Sequence, residues 1–185
     1  MEIPDDILIQ ASRGDLAAFE AVYKASAGFV YNVAFRIVGN REDAEEVTQE
    51  VFLIIHGKLK GFRFESSFKT WAYRITANCA INFAKKTSRT SNKTMEYDDT
   101  LFEPTASGDV RADMDKEHHS KAINDLLSTI NPQQRACVVL RNIEGLSYQQ
   151  IADTLKINVN TVRSRLKRAR EKLLTLKGQV NYGQM

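Results

Sequence analysis

The chain has 185 residues, 43% of them apolar, and a net charge of +3 at pH 7, enough for one ordinary hydrophobic core or two small ones. The acidic start MEIPDD and apolar runs no longer than VFLII argue against a secretory leader and a membrane span, so the chain is expected to be soluble and cytoplasmic. The modest total hides blocks of alternating sign: −6 over residues 1–50, +8 over 51–94, −6 over 95–125 and +7 over 126–185. Two basic blocks suggest two surfaces that meet polyanion, and the acidic first block suggests a protein partner or plain solubility.

Helical spacing dominates, with no convincing strand alternation. The first long helix is predicted over Asp15–Val38, ended by Gly39. The second runs from Arg41 to Lys60, with Asn40 as its cap and Glu42 and Asp43 in its first turn, where carboxylates suit the helix dipole. Ala44, Val47, Val51, Ile54 and Ile55 form its apolar face. A third helix starts near Ser66 or Ser67 and ends about Lys86, with Phe68, Ala72, Ile75, Cys79 and Phe83 inward. From Thr87 to about Asp113 aliphatics thin out around Pro104 and Gly108, which reads as a mobile linker. Helical patterns then resume in KAINDLLSTI, NPQQRACVVLRNIEG and SYQQIADTL, with Asn131 and Pro132 as a helix start. The expected architecture is all-α, with two small helical domains, 1–86 and 114–178, a linker over 87–113 and a tail over 179–185.

Acidic residues cluster on the second helix, where Asp43, Glu46 and Glu50 share one flank with Gln49 adjacent. No His or Cys joins them, so a solvated face or a protein contact fits better than a metal site. His118 and His119, being neighbours, point about 100° apart on a helix and do not chelate as a spaced pair does. Cys79 and Cys137 lack paired spacing and read as small core residues. No cofactor is implied, and no convincing catalytic set appears.

The segment GFRFESSFKTWAYRITANCAINFAKK interleaves Phe62, Phe64, Phe68, Trp71, Tyr73 and Phe83 with Arg63, Lys69, Arg74, Lys85 and Lys86. Rings among cations suit single-stranded DNA, whose unstacked bases lie on aromatic faces while cations hold the backbone. Phe68 and Phe83 keep the inward period and read as core; for Phe62, Phe64 and Trp71 both readings stand. Arg74, Asn78, Ile81 and Lys85 form a separate stripe, expected to be free for polar contact.

GLSYQQIADTLKINVNTVRSRLKRAREKLL has the grammar of a helix-turn-helix. Ser147 and Gln150 are the ends of a capping box, and Tyr148, Ile151, Ala152 and Leu155 give the first helix its apolar face. Ile157 plugs the turn and Asn158 caps a second helix with Val162, Leu166, Ala169 and Leu173 inward. Asn160, Thr161 and Ser164 then point outward near its start, flanked by Arg163, Lys167 and Arg170 on one side and Arg165, Arg168 and Lys172 on the other. Short polar side chains between two rows of cations suit a helix in the DNA major groove, the cations reaching phosphates on both walls.

Three stretches, NREDAEEVTQEVFLIIHGKLKGFR, FKTWAYRITANCAINFAKK and LSYQQIADTLKINVNTVRSRLKRAREKL, resemble bacterial extracytoplasmic-function sigma factors, the small two-domain members of the housekeeping sigma family. The resemblance implies docking of Asp43, Glu46, Gln49 and Glu50 on the clamp coiled coil of the largest RNA polymerase subunit. It implies reading of a −10 promoter element as flipped single-stranded bases by Phe62, Arg63, Phe64, Lys69, Trp71, Arg74, Asn78 and Lys85. It implies reading of a duplex −35 element by Asn160, Thr161, Arg163, Ser164, Arg165, Lys167 and Arg168. A membrane-spanning anti-sigma factor, found for many family members, is a further implied partner. Two positions depart from the family pattern: Lys156 stands where the turn commonly has Gly, and Asn82 where an acidic residue is common. The rival expectation is a stand-alone helix-turn-helix regulator, whose N-terminal half would carry a sensor pocket.

Overall fold

A computed structural model of the chain describes residues 3–94, 123, 124 and 126–182, with side chains described through residue 87 in the first stretch and residue 175 in the last. Among these residues there are helices and no strands. Four helices come first: α1 (Asp5–Ser12), α2 (Leu16–Val38), α3 (Arg41–Leu59) and α4 (Phe68–Thr94). Later in the chain come α5 (Pro132–Val138), which runs on into a π-helical turn over Val139–Ile143, then α6 (Tyr148–Leu155) and α7 (Val159–Tyr182). Most of the expected linker and His118 and His119 lie outside the described residues.

Each expected boundary has a local cause. Asp15 caps α2 by accepting the Ala18 amide at 2.9 Å, and Asn40 caps α3 by accepting the Asp43 amide at 2.8 Å. Gly39 ends α2 in a left-handed conformation, φ 99°, that side chains resist. Asn131 accepts the Gln134 amide at 2.9 Å, with Pro132 in the first turn.

The structure departs from the sequence reading in extent. α1 was not foreseen; it begins after Pro4 without a side-chain cap and packs Leu8 and Ala11 into the core. α4 continues to Thr94, eight residues past its expected end at Lys86 and into the segment read as linker, and α7 continues to Tyr182, past the expected domain limit at 178. Polar residues cost a growing helix only a few tenths of a kcal/mol each, so an established helix propagates through them.

α1 to α4 pack together as a bundle, with Val22, Val30, Val33, Ile37, Val47, Val51 and Ile55 fully buried. Removing each such side chain from water contributes about 1.5–3 kcal/mol. α5, α6 and α7 form a second group around Ile130, Leu140, Ile151, Val162 and Ala169. The two groups touch: α4 packs on α5 and α6, and α2 packs on α5. Cys137 is fully buried and Cys79 half-buried, and burial pushes both thiols up, that of Cys79 to about 11.

Candidate nucleic-acid interface

The loop between α3 and α4 gathers an aromatic cluster. Phe62 lies at its centre, with ring centroids 4.8 Å from Phe64, 5.1 Å from Trp71 and 6.3 Å from Phe68. Phe68 is buried and Phe83 half-buried against the core, so both hold the inward positions that their spacing predicted. Phe64 differs: it is 42% exposed and its backbone sits at φ 58°, a left-handed conformation that a bulky residue adopts only under constraint. The ring is thereby presented to solvent beside half-buried Phe62 and Trp71. Arg63 and Lys85 project outward, and Lys69 lies 5.6 Å over the Tyr73 ring.

The stripe expected to be free on α4 is partly covered. Ile81 is buried, Arg74 and Asn78 are half-buried, and the Asn78 amide donates to the Arg74 carbonyl at 2.7 Å and lies 3.5 Å from the Thr154 carbonyl of α6. The helix-turn-helix occupies part of the face that the stripe was to offer.

In the helix-turn-helix, both halves of the capping box form: Ser147 Oγ accepts the Gln150 amide at 3.2 Å, and Gln150 Oε1 accepts the Ser147 amide at 2.8 Å. Lys156 takes φ 52° and ψ 49° at the turn, so the residue standing in place of Gly adopts the left-handed geometry at a cost of about 1–2 kcal/mol. Ile157 is half-buried as the plug. Val162 and Ala169 are fully buried, which fixes the rotation of α7 and turns Asn160, Arg163, Ser164, Lys167 and Arg168 outward, with Thr161 half-exposed. Arg163 Nη1 donates to Asn160 Oδ1 at 3.2 Å, ordering a polar pair one turn from the helix start.

Arg165 is placed differently from its neighbours. It is half-buried and its Nη2 donates to Gln133 Oε1 at 2.9 Å, tying α7 to α5 instead of projecting beside Arg168.

On α3, Asp43 is half-buried and engaged with Asn40, whose amide donates to its carboxylate at 2.8 Å. Glu46, Gln49 and Glu50 are exposed, and the sequence reading missed the residue that completes their face: Leu53, 75% exposed. Positions 46, 50 and 53 fall on one side of a helix. A leucine displaced from the Val47, Val51 and Ile55 stripe was the available signal. Among the described residues no three His, Cys, Asp or Glu side chains gather to hold a metal ion, and no helix is long and apolar enough to cross a membrane.

Comparison with known proteins agrees with this layout. The Sigma-70 region 2 model matches residues 22–90 and the Sigma-70 region 4 model residues 120–173. The chain is 32% identical over 178 residues to ECF RNA polymerase sigma factor SigE of Mycolicibacterium smegmatis, covering 92% of this chain and 66% of that protein. It is 31% identical over 181 residues to the ECF RNA polymerase sigma-E factor of Haemophilus influenzae, covering 92% of this chain and 93% of that one. In fold it is similar to CnrH, solved in complex with the cytosolic domain of CnrY, with a TM-score of 0.65 at 21% identity over 94% of this chain and 96% of that one. With its two helical groups falling in the two Sigma-70 regions, the chain belongs to the ECF RNA polymerase sigma factors.

Proposed function

We propose that this sigma factor binds RNA polymerase core through the α3 face, reads a melted −10 strand at the aromatic cluster and α4, and reads a duplex −35 element with α7. It works in the cytoplasm and performs no catalysis of its own. The observation that carries the reading is the outward face of α7: Asn160, Arg163, Ser164, Lys167 and Arg168 stand clear of a helix-turn-helix whose rotation two fully buried residues fix. Bidentate donors and short polar groups there suit base edges, and the remaining cations suit phosphates. The exposed Phe64 ring beside Phe62 and Trp71 suits a base taken out of the stack, at a cost of a few kcal/mol that stacking offsets.

The α3 face pairs three polar acceptor side chains, Glu46, Gln49 and Glu50, with the exposed Leu53, a combination suited to a partner helix carrying basic residues around an apolar seat. The clamp coiled coil of the polymerase is the assigned partner. A membrane-spanning anti-sigma factor is a second assigned partner, supported by the fold shared with CnrH, which was solved with the cytosolic domain of CnrY.

Binding of the purified chain to sigma-free bacterial core polymerase tests the docking assignment. Wild type is expected to bind, and Leu53→Asp to lose at least tenfold in affinity while melting normally, since a hot-spot leucine is worth about 1–2 kcal/mol or more. Duplex binding by the chain alone with no affinity for core refutes the reading and favours a stand-alone regulator.

A further inference from the structure

The seam between the two helical groups encloses a cavity of about 440 Å³, a size typical of small-molecule sites. Val38, Ile130 and Pro132 give it an apolar wall, and Arg135 of α5 and Lys172 of α7 give it two cations. Arg135 is only 7% exposed. Its Nη1 donates to the Ile37 carbonyl at the end of α2 at 2.7 Å, and its Nη2 to the Ser128 and Ile130 carbonyls at 3.1 and 3.2 Å, while its Nε is enclosed with no acceptor. A guanidinium this deep is costly unless an anion compensates it, yet neither Arg135 nor Lys172 forms an ion pair among the described residues. The one carboxylate on the lining, that of Asp43, already accepts the Asn40 side-chain amide at 2.8 Å and lies in the first turn of α3. Two cations against one engaged carboxylate leave the cavity with an excess of positive charge.

We propose that this cavity binds a small organic oxyanion, a carboxylate or a phosphate ester carried on a compact apolar body. Lys172 and Arg135 supply the charge, and an anion there provides the compensation that the guanidinium lacks. Asn131 adds a neutral donor: its Oδ1 is spent on the Gln134 amide at 2.9 Å, which leaves its side-chain N–H groups for the ligand. The apolar wall takes the body, and partial exclusion of water strengthens each charged bond. Lys172 belongs by spacing to the row of Arg165 and Arg168, but α7 turns Arg165 to Gln133 and sets Lys172 on the cavity. Of the residues assigned to polymerase or DNA, only Asp43 lines the cavity, so the inference goes beyond the sigma reading and stands apart from it.

The test titrates the isotope-labelled full chain with phenyl phosphate, benzoate and neutral benzyl alcohol at constant ionic strength, and follows backbone amide chemical shifts. Saturable binding of an anion is expected, with the shifts gathered on Thr129, Asn131 and Lys172, and the tighter of the two anions names the oxyanion class. Lys172→Ala removes an exposed side chain that the fold does not need and should weaken binding about tenfold, as loss of one charge-assisted bond implies. Arg170→Ala removes the same charge from the far side of α7 and should match wild type. Thr87→Phe, at an exposed wall position, fills the cavity and should abolish binding while the far-ultraviolet circular dichroism stays native. Arg135 stays in place, because its removal would strip three hydrogen bonds from the seam. The proposal is overturned if neither anion saturates, if benzyl alcohol binds as tightly as the anions, or if the shifts gather on residues 160–168 instead. Equal weakening by Arg170→Ala and Lys172→Ala, or unchanged binding in Thr87→Phe, overturns it as well.

Discussion

Two glycines with nearly the same backbone conformation provide an internal comparison of what anchors the seam. Gly14 has φ 95° and Gly39 φ 99°, yet a Cβ on Gly14 meets nothing within 4 Å, whereas one on Gly39 comes within 3.1 Å of Arg135 Nη1. Alanine at either position incurs a backbone cost of about 1–2 kcal/mol. At Gly39 the methyl also presses on the guanidinium, which must give by a few tenths of an ångström and so lengthens its 2.7 Å bond to the Ile37 carbonyl. Weakening a buried bond from a charged donor adds about 1–2 kcal/mol. Gly39→Ala is therefore expected to lose about 2–4 kcal/mol and Gly14→Ala about 1–2 kcal/mol. Urea denaturation followed by far-ultraviolet circular dichroism and by fluorescence of Trp71, the chain's one tryptophan, measures both. Equal losses would refute the reasoning, because Arg135 would then yield freely and the α2 end would not be its anchor.

Other expectations follow from single contacts. Arg163→Ala should weaken −35-dependent binding with its melting temperature unchanged, since the side chain is exposed, while Arg165→Ala should lose about 1 kcal/mol of stability with its bond to Gln133. Their salt dependences should differ too, a lost phosphate contact lowering the slope of binding against salt. With the Cys79 thiol pushed up to about 11, and that of Cys137 also raised, the reactive thiolate is scarce at pH 8. Alkylation of the native chain should be slow there, quicken as pH rises toward 11, and become fast at pH 8 once the chain is unfolded in denaturant.

What could be read from the sequence was what short-range chemistry determines. The Ser147 and Gln150 spacing, the Asn40 and Asn131 caps and the Gly39 stop are each written within four residues, and each is found in the structure. The inward stripe Val162, Leu166, Ala169 and Leu173 likewise fixed which way α7 faces. What escaped depends on distant partners or on weak signals. α1 has no side-chain cap, and the polar run after Lys86 resembles a loop by composition although the helix passes through it. Nothing near Arg165 announces Gln133, 32 positions earlier, and nothing near Arg135 announces Ile37, 98 positions earlier. The covering of Asn78 belongs to the same class, because a helix stripe shows which side is polar and not which neighbour comes to lie on it.

Promoter-dependent initiation tests directly whether the chain acts as a sigma factor. The purified chain is added to sigma-free bacterial core polymerase with a randomised promoter library, and the initiated transcripts are sequenced. Initiation is expected only when the chain is present, from templates sharing a −10 and a −35 element at fixed spacing, with Arg163→Ala relaxing or losing the −35 preference. Core that initiates no differently with the chain than without it would show that the chain does not direct initiation.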